Sequence, residues 1–203
     1  MSPSVDDPWS RISPTQLARE LRGAGDIWWI AGGWSLELFT AATARGHDDI
    51  DISCFRDDLA RLRRTLADCS YHATQDGRLR PLAPDEAVAE DVNTLWCRLP
   101  GSRFWDFEVM IEQRRGDEWC FRRDPAARLP VPDLTWTQED GMRVVRPEVQ
   151  LLYKAKDVRP RDERDFRAVL AHLSGTATRW LSEALARVHP GHTWLDEIRR
   201  AEP

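Results

Sequence analysis

The sequence predicts an α/β protein, with a small mixed sheet and flanking helices over residues 1–145 and a helical domain over residues 146–203. Three observations support this division. Short apolar or alternating runs, typical of strands, are confined to the first part of the chain. Segments with apolar residues at helical spacing lie between those runs. From Pro147 onward the pattern is helical throughout.

The first predicted helix follows a stretch, residues 1–12, whose composition is that of a tail. Ser13 is placed as the N-cap and Pro14 as the first helical residue, because a serine hydroxyl satisfies a free backbone N–H and proline lacks one. We expect this helix to reach about Arg22.

The next predicted elements are a buried strand at 27–31, a tight turn at Gly32 and Gly33, a helix at 34–42 and a strand at 49–53. Strict alternation in the last strand places Asp49 and Asp51 on one face, since side chains two residues apart in a strand share a face.

Further along, the pattern predicts a helix at 57–68, a short strand within 71–82, a strand at 92–99 and a strand at 104–112. The last of these alternates, and Asp106, Glu108 and Glu112 are expected on a wet, acidic face. Residues 117–141 read as connector or small strands. Four C-terminal helices are predicted to start at about Pro147, Pro160, Thr176 and Thr193.

Composition excludes several classes of protein. The net charge of −5, from 29 basic and 34 acidic residues, argues against a protein that mainly grips nucleic acid. No apolar run is long enough to span a membrane, and the N-terminus lacks the pattern of a signal peptide. The four cysteines have no metal-ligand spacing, so we expect reduced, buried thiols in a cytoplasmic protein.

The chemistry-bearing stretch runs from Gly32 to Asp51. A strand leads into Gly32 and Gly33, where a backbone without side chains can approach phosphate oxygens and the next helix offers free N–H groups. Ser35 could add a hydroxyl donor. Asp49 and Asp51, about 7 Å apart along a strand, could together hold Mg²⁺, which prefers carboxylate, water and phosphate oxygens.

A third carboxylate on a neighbouring strand would complete such a site or act as a general base. Glu108 is the first choice, and Asp106, on the same predicted face, is the alternative. Arg45 and His47 could contact phosphate or could be ordinary surface residues.

These residues carry a family resemblance. Gly32-Gly33-Trp34, followed by Arg45, His47, Asp49 and Asp51, resembles the nucleotidyltransferase superfamily that includes DNA polymerase beta, and most closely the aminoglycoside and lincosamide nucleotidyltransferases. The resemblance implies a nucleotidyltransferase-type catalytic domain, metal binding by Asp49 and Asp51, and a triphosphate near Gly32 and Ser35.

A second block, residues 146–156 and 161–166, is similar to the C-terminal helical part of bacterial members. On that resemblance alone, Lys154 is the lysine expected to reach the triphosphate. Asp162 and Asp165 lie at i, i+3 on one helix face and either bind a cationic acceptor or pair with nearby basic groups.

The function that the resemblance implies is Mg²⁺-dependent transfer of a nucleoside monophosphate, AMP from ATP, to a hydroxyl of a small molecule such as an aminoglycoside or lincosamide. Two alternatives remain. One is an antitoxin-type enzyme that modifies a protein side chain. The other is an inactive relative that binds nucleotide or ligand without turnover.

Overall fold

The structure, a computed structural model, describes residues 3–41, 46–75 and 77–201. The described chain forms two compact units. The first falls within residues 1–34, 45–113 and 137–144, and the second within 35–44, 114–136 and 145–203. The units thus alternate along the sequence, and the domain boundary expected at residue 145 stays a prediction.

The first unit contains a mixed sheet. Its strands, in chain order, are β1 (Trp28–Ile30), β2 (Asp51–Phe55), β3 (Ser70–Gln75), β4 (Arg78–Leu82), β5 (Thr94–Arg98), β6 (Phe107–Arg115) and β10 (Arg143–Val145). In space the order is β4-β3-β5-β6-β2-β1-β10. Strand β2 is antiparallel to β1 and parallel to β6, so the two strands with acidic residues are direct neighbours in the interior of the sheet.

The core side of this sheet is strongly apolar. Ile52 of β2, Ile50 just before it, and Phe107 and Val109 of β6 have no exposed surface. Alternation therefore turns the intervening residues, Asp51 and Glu108, to the opposite face, where both are half-buried.

The first three α-helices of the chain follow the local sequence signals. Helix α1 (Pro14–Glu20) begins at the N-cap Ser13, whose side chain accepts from the Gln16 N–H. Helix α3 (Arg56–Thr65) buries Leu59 and Leu62. Helix α2 (Gly32–Thr40) starts two residues earlier than predicted, because both glycines are part of its first turn rather than of a separate turn.

The prediction of a tail at residues 1–12 is wrong for the described part of that stretch. The backbone of Trp105 bonds to it twice: Trp105 N–H donates to the Pro8 carbonyl at 3.0 Å, and Ser10 N–H donates to the Trp105 carbonyl at 2.7 Å. We call residues 3–12 the N-terminal segment. Its composition is polar, but its backbone hydrogen bonds attach it to the first unit.

The prediction of a wet, acidic face near Glu108 is also wrong in two places. Asp106 and Glu112 are each only 5% exposed. An interior strand of a sheet is covered on both faces more often than an edge strand, and alternation alone does not distinguish the two. Asp106 is satisfied internally, because its carboxylate accepts from the Leu99 N–H at 2.9 Å.

The second unit is mainly helical, as predicted. It contains α4 (Pro147–Lys154), α5 (Pro160–Leu170), α6 (Gly175–Val188) and α7 (Thr193–Ala201), together with the short paired strands β7 (Glu118–Cys120) and β8 (Arg128–Pro130). Strand β9 (Thr135–Thr137) lies where the chain returns to the first unit. The core of the second unit includes Phe166 and Trp194, whose stacked rings have centroids 4.3 Å apart.

A buried ion-pair network joins α4 to α5. Asp162 is 1% exposed, and its oxygens accept from Lys154 Nζ at 2.6 Å and from Arg159 Nε at 2.7 Å. Asp165 lies 3.4 Å from the same Lys154 amine. Burial alone would raise the pKa of Asp162, but the hydrogen bonds from Arg159 and Lys154 outweigh it and hold that pKa well below its ordinary value.

We expect Asp162→Asn to lower the free energy of unfolding by about 3 kcal/mol, because it leaves a buried lysine without its closest counter-charge. Urea denaturation at neutral pH measures the loss. Asp196→Asn is the control, since Asp196 pairs with Arg199 but both side chains are largely exposed, and little change is expected. A fall in Asp162→Asn no larger than that of the control would contradict a stabilising network.

The lowered pKa of Asp162 also determines how its contribution to the free energy of unfolding depends on pH. A depressed carboxyl pKa adds stability that is fully present above the ordinary value of about 4 and is lost as pH falls through the folded-state value. We therefore expect the stability gap between wild type and Asp162→Asn to be constant near neutrality and to narrow in strong acid.

Two further observations complete the fold. All four cysteines, Cys54, Cys69, Cys97 and Cys120, are buried and unbridged, as predicted. No helix among the described residues has the length and apolar character needed to cross a membrane.

Candidate active site

Asp51 and Glu108 stand side by side in the sheet. They are register partners on the parallel strands β2 and β6, and Glu108 N–H donates to the Ile50 carbonyl at 2.9 Å. Neighbouring strands lie about 4.8 Å apart, so paired residues project on the same face as neighbours. The two carboxylates therefore belong to one local cluster.

The pKa of Glu108 is shifted by its surroundings. Burial raises it well above its ordinary value, and the negative charges of Asp51 and Asp49 raise it further. A hydrogen bond from the Trp96 side chain acts in the opposite direction. Both aspartates thus act on Glu108 as like charges, and a bound cation would relieve that repulsion.

Asp49 differs from the prediction in its local structure. Strand β2 begins at Asp51, so Asp49 lies just before it and is exposed. The alternation of buried and open residues nevertheless extends back to it, because Ile50 is fully buried between the two aspartates. An exposed carboxylate beside a half-buried one suits a site that receives its ligand from solvent.

Gly32 is in direct contact with this cluster. A Cβ atom built on Gly32 would lie 1.8 Å from Asp51 Oδ2, and its φ of +62° is a value that other residues rarely adopt. The main chain also joins the two elements, since the Ala31 N–H donates to the Asp51 carbonyl at 2.9 Å. Only glycine therefore allows α2 to start against the Asp51 carboxylate.

His47 stacks on Trp34, the residue that follows the two glycines. Their ring centroids are 4.3 Å apart with an interplanar angle of 29°. The contact ties the chain just before the aspartates to the beginning of α2. The sequence left His47 as either a contact to phosphate or an ordinary surface residue, and the contact to phosphate stays a prediction.

The other predicted site residues lie in different settings. Ser35 is fully buried on α2, and Gly33 is half-exposed in its first turn. Lys154 lies in the second unit, where its amine is held by Asp162 and Asp165 and its side chain is 8% exposed. Its predicted contact to triphosphate would need that amine to share or leave these carboxylates. Arg45 lies outside the described residues.

The structure distinguishes the two candidates for the third carboxylate. Glu108 is beside Asp51, whereas Asp106 precedes β6 and is bonded to the Leu99 N–H. Trp96 is a site residue that the sequence reasoning missed. Counting outward from the predicted turn at residues 100–102 would place Trp96 opposite Asp106, whereas the structure pairs Trp96 with Glu108, a register that the position of the turn does not give.

The cluster fits Mg²⁺ by its donor chemistry. Carboxylate oxygens are hard ligands, and Mg²⁺ is usually held by one or two protein carboxylates together with water and substrate phosphates rather than by an all-protein cage. Accordingly, among residues 3–41, 46–75 and 77–201 no three His, Cys, Asp or Glu side chains already form a complete metal-binding group. Asp49 and Asp51 would supply the protein oxygens.

Residues 15–97 match the family model of aminoglycoside-2''-adenylyltransferase. The matched stretch contains both glycines, His47 and both aspartates, so it covers the first block of the resemblance drawn from the sequence. No curated protein matches the chain.

Solved structures extend the likeness over most of the chain. The lincosamide antibiotic adenylyltransferase LnuA, solved with lincomycin bound, has 15% identity and a TM-score of 0.53, covering 79% of this chain and 98% of its own. ANT(2'')-Ia, solved with adenylyl-2''-tobramycin, has 15% identity and a TM-score of 0.52, covering 84% and 96%. A solution structure of ANT(2'')-Ia covers 94% of this chain and 100% of its own, with 15% identity and a TM-score of 0.53.

These likenesses confirm the predicted fold class. The matched family model is that of an adenylyltransferase, in agreement with the resemblance and the enzyme class predicted from the sequence.

Proposed function

We propose that this chain, a relative of the antibiotic nucleotidyltransferases, transfers AMP from ATP to a hydroxyl group of a small-molecule acceptor and releases pyrophosphate. The observation that carries the proposal is the carboxylate cluster of Asp49, Asp51 and Glu108, against which Gly32 begins α2. Nucleotidyl transfer needs few covalent steps from the protein, because positioning and charge neutralisation provide most of the acceleration.

In this proposal the residues divide the work between charge and proton transfer. Asp49 and Asp51 hold Mg²⁺, which when bound neutralises triphosphate charge and steadies the leaving pyrophosphate. Gly32 and Gly33 bring the first turn of α2 close to phosphate oxygens. Ser35, Arg45, His47 and Lys154 are proposed as further contacts to the nucleotide, on the resemblance alone.

Glu108 is proposed as the general base. It accepts the proton of the acceptor hydroxyl while the acceptor oxygen forms a bond to the α-phosphorus and the bond from that phosphorus to the bridging oxygen of pyrophosphate breaks. A carboxylate whose pKa is raised by burial and by two neighbouring carboxylates is a stronger base than an exposed one.

The acceptor class proposed is an antibiotic of the aminoglycoside or lincosamide type. The two structural neighbours hold lincomycin and adenylyl-2''-tobramycin. An acidic chain with a net charge of −5 would attract the polycationic aminoglycosides at long range. We propose that the protein acts on these small molecules in the cytoplasm.

Isotope-labelled ATP tests the reaction type. With tobramycin or lincomycin as acceptor, we expect label from the α-phosphate on the antibiotic and none from the γ-phosphate. Transfer of γ-label would identify a kinase and contradict the proposal. Label from the α-phosphate on the protein itself or on an added protein, with none on any antibiotic, would favour the protein-modifying alternative.

A further inference from the structure

The N-terminal segment forms three hydrogen bonds with Trp105. Besides the two main-chain bonds with Pro8 and Ser10, the Trp105 indole N–H donates to the Ser4 carbonyl at 2.9 Å. Trp105 itself has no exposed surface. Three hydrogen bonds to a fully buried residue hold this segment on the first unit.

The attached segment places Trp9 against Trp96. Their ring centroids are 4.9 Å apart, and the planes meet edge to face at 71°. Trp105 also packs on Trp96, with a centroid distance of 5.3 Å and an interplanar angle of 66°. Such aromatic pairs add about 1 kcal/mol each beyond the area they bury, so the Trp96 ring has two rigid supports.

Trp96 in turn faces Glu108. The two residues are register partners on the antiparallel strands β5 and β6, so their side chains lie on the same face. Trp96 acts on the Glu108 pKa as a hydrogen-bond donor does, lowering it against the effect of burial. Because indole has one N–H and no acceptor, a bond between the two side chains would be donated by Trp96 and would hold one carboxylate oxygen.

We propose that Trp96 is the positioning residue for Glu108, and that the N-terminal segment takes part in catalysis indirectly, because its Trp9 holds the Trp96 ring in place. The inference rests on the proposed role of Glu108 in nucleotidyl transfer. It assigns a function to a segment whose composition is that of a disordered tail.

The physical need for this support follows from the carboxylate cluster. A glutamate side chain has several rotatable bonds, and the negative charges of Asp49 and Asp51 repel the Glu108 carboxylate. A single donor on a clamped ring opposes displacement of that carboxylate and leaves the other oxygen for the acceptor proton. Substitution of a residue that orients a metal ligand typically lowers metal affinity or activity about 10- to 100-fold, and we expect a loss of that size for a residue that orients Glu108.

The first arm of the test is kinetic. Trp96→Phe keeps an aromatic ring for Trp9 and Trp105 but removes the donor, and we expect kcat to fall about 10- to 100-fold while KM for ATP changes less than about threefold. Trp9→Ala should lower kcat in the same way by a smaller factor.

Trp180→Phe is the matched control. Trp180 is also half-buried, and its indole N–H donates to the Arg128 carbonyl at 3.1 Å, but it lies in the second unit. The same chemical change there should leave kcat unaltered. An unchanged kcat in Trp96→Phe, or equal losses in Trp96→Phe and Trp180→Phe, would overturn the proposal.

The second arm does not depend on turnover. The indole N–H signals of the ten tryptophans can be resolved in a ¹H–¹⁵N spectrum of the full chain, and the Trp96→Phe variant assigns the Trp96 signal by its loss. We expect that signal to move in Glu108→Ala and in Trp9→Ala, and the Trp180 signal to stay. If the chemical shift of the Trp96 signal is unchanged in both variants, the positioning role is overturned, even if the protein folds and is active.

These two arms separate the failure of the inference from that of the proposed function. If the wild type transfers no AMP but the Trp96 signal responds to Glu108→Ala and Trp9→Ala, the positioning arrangement stands and the proposed reaction fails. If transfer is normal in Trp96→Phe, the reaction stands and the inference fails.

Discussion

Asp51→Asn is expected to reduce AMP transfer at least about a thousandfold, on the order of 4 kcal/mol of transition-state stabilisation. Asp51 is central to the site: it pairs with Glu108 across β2 and β6, and its carboxylate packs on the first residue of α2. An amide has nearly the same shape but no charge, so it weakens cation binding where the triphosphate needs neutralising. Steady-state kinetics with saturating Mg²⁺ and ATP measure the effect.

Asp48→Asn is the matched control for this substitution. Asp48 is exposed and lies three residues before Asp51, and the change removes the same unit of charge. We expect its activity to stay within about threefold of wild type, because exposed charges act weakly through solvent. Comparable losses of activity in both variants would show that activity depends on the negative charge of this stretch as a whole rather than on the carboxylate cluster.

Stability separates a catalytic role of Asp51 from a structural one. Without a cation, Asp51 and Asp49 both act on Glu108 as like charges. Removing one of these charges should leave the melting temperature of the metal-free protein unchanged or raise it. A large fall in Tm would indicate that Asp51→Asn inactivates the protein by unfolding it.

Gly32→Ala is expected to lower activity about a hundredfold and stability by about 1 to 3 kcal/mol. The new Cβ would overlap Asp51 Oδ2 at 1.8 Å and would sit on a residue with φ +62°. Relief of the overlap requires the Asp51 carboxylate or the start of α2 to move, and either movement displaces a group that must be placed to within about 1 Å.

Gly77→Ala separates the two causes. Gly77 has a similar φ of +70°, but apart from its two chain neighbours no atom of the described residues lies within 4 Å of the position of its Cβ. We expect it to lose about 1 kcal/mol of stability and to keep full activity. If Gly77→Ala and Gly32→Ala reduce activity equally, backbone strain rather than contact with Asp51 is responsible.

The elements that sequence reasoning predicted are those set by local chemistry. The Ser13 cap, the proline-initiated helices α4 and α5, and the alternation around Ile50 and Ile52 all depend on residues close together in the chain. The predictions that failed involve residues far apart. Asp106, just before β6, and Glu112, within β6, are buried rather than exposed to solvent. β6 is an interior strand, and alternation cannot reveal where a strand lies in the sheet.

The same distinction applies to the candidate site. The placement of the two glycines directly after β1, and of the two aspartates at the start of the next strand, could be predicted because strand, helix and spacing are local. The N-terminal segment read as a tail because its bonds go to Trp105, nearly one hundred residues later. The link from Trp9 through Trp96 to Glu108 brings together three distant stretches of sequence, and no periodicity within any one of them indicates it.

Acceptor-dependent release of pyrophosphate is the measurement that tests the central claim most directly. Each of the four nucleoside triphosphates is offered with Mg²⁺, with and without an aminoglycoside or lincosamide, to the wild type and to Asp51→Asn. The account predicts release that is fastest with ATP, requires both the antibiotic and Mg²⁺, and disappears in Asp51→Asn. Release that proceeds equally without acceptor, or that survives in Asp51→Asn, would contradict nucleotidyl transfer by this carboxylate cluster.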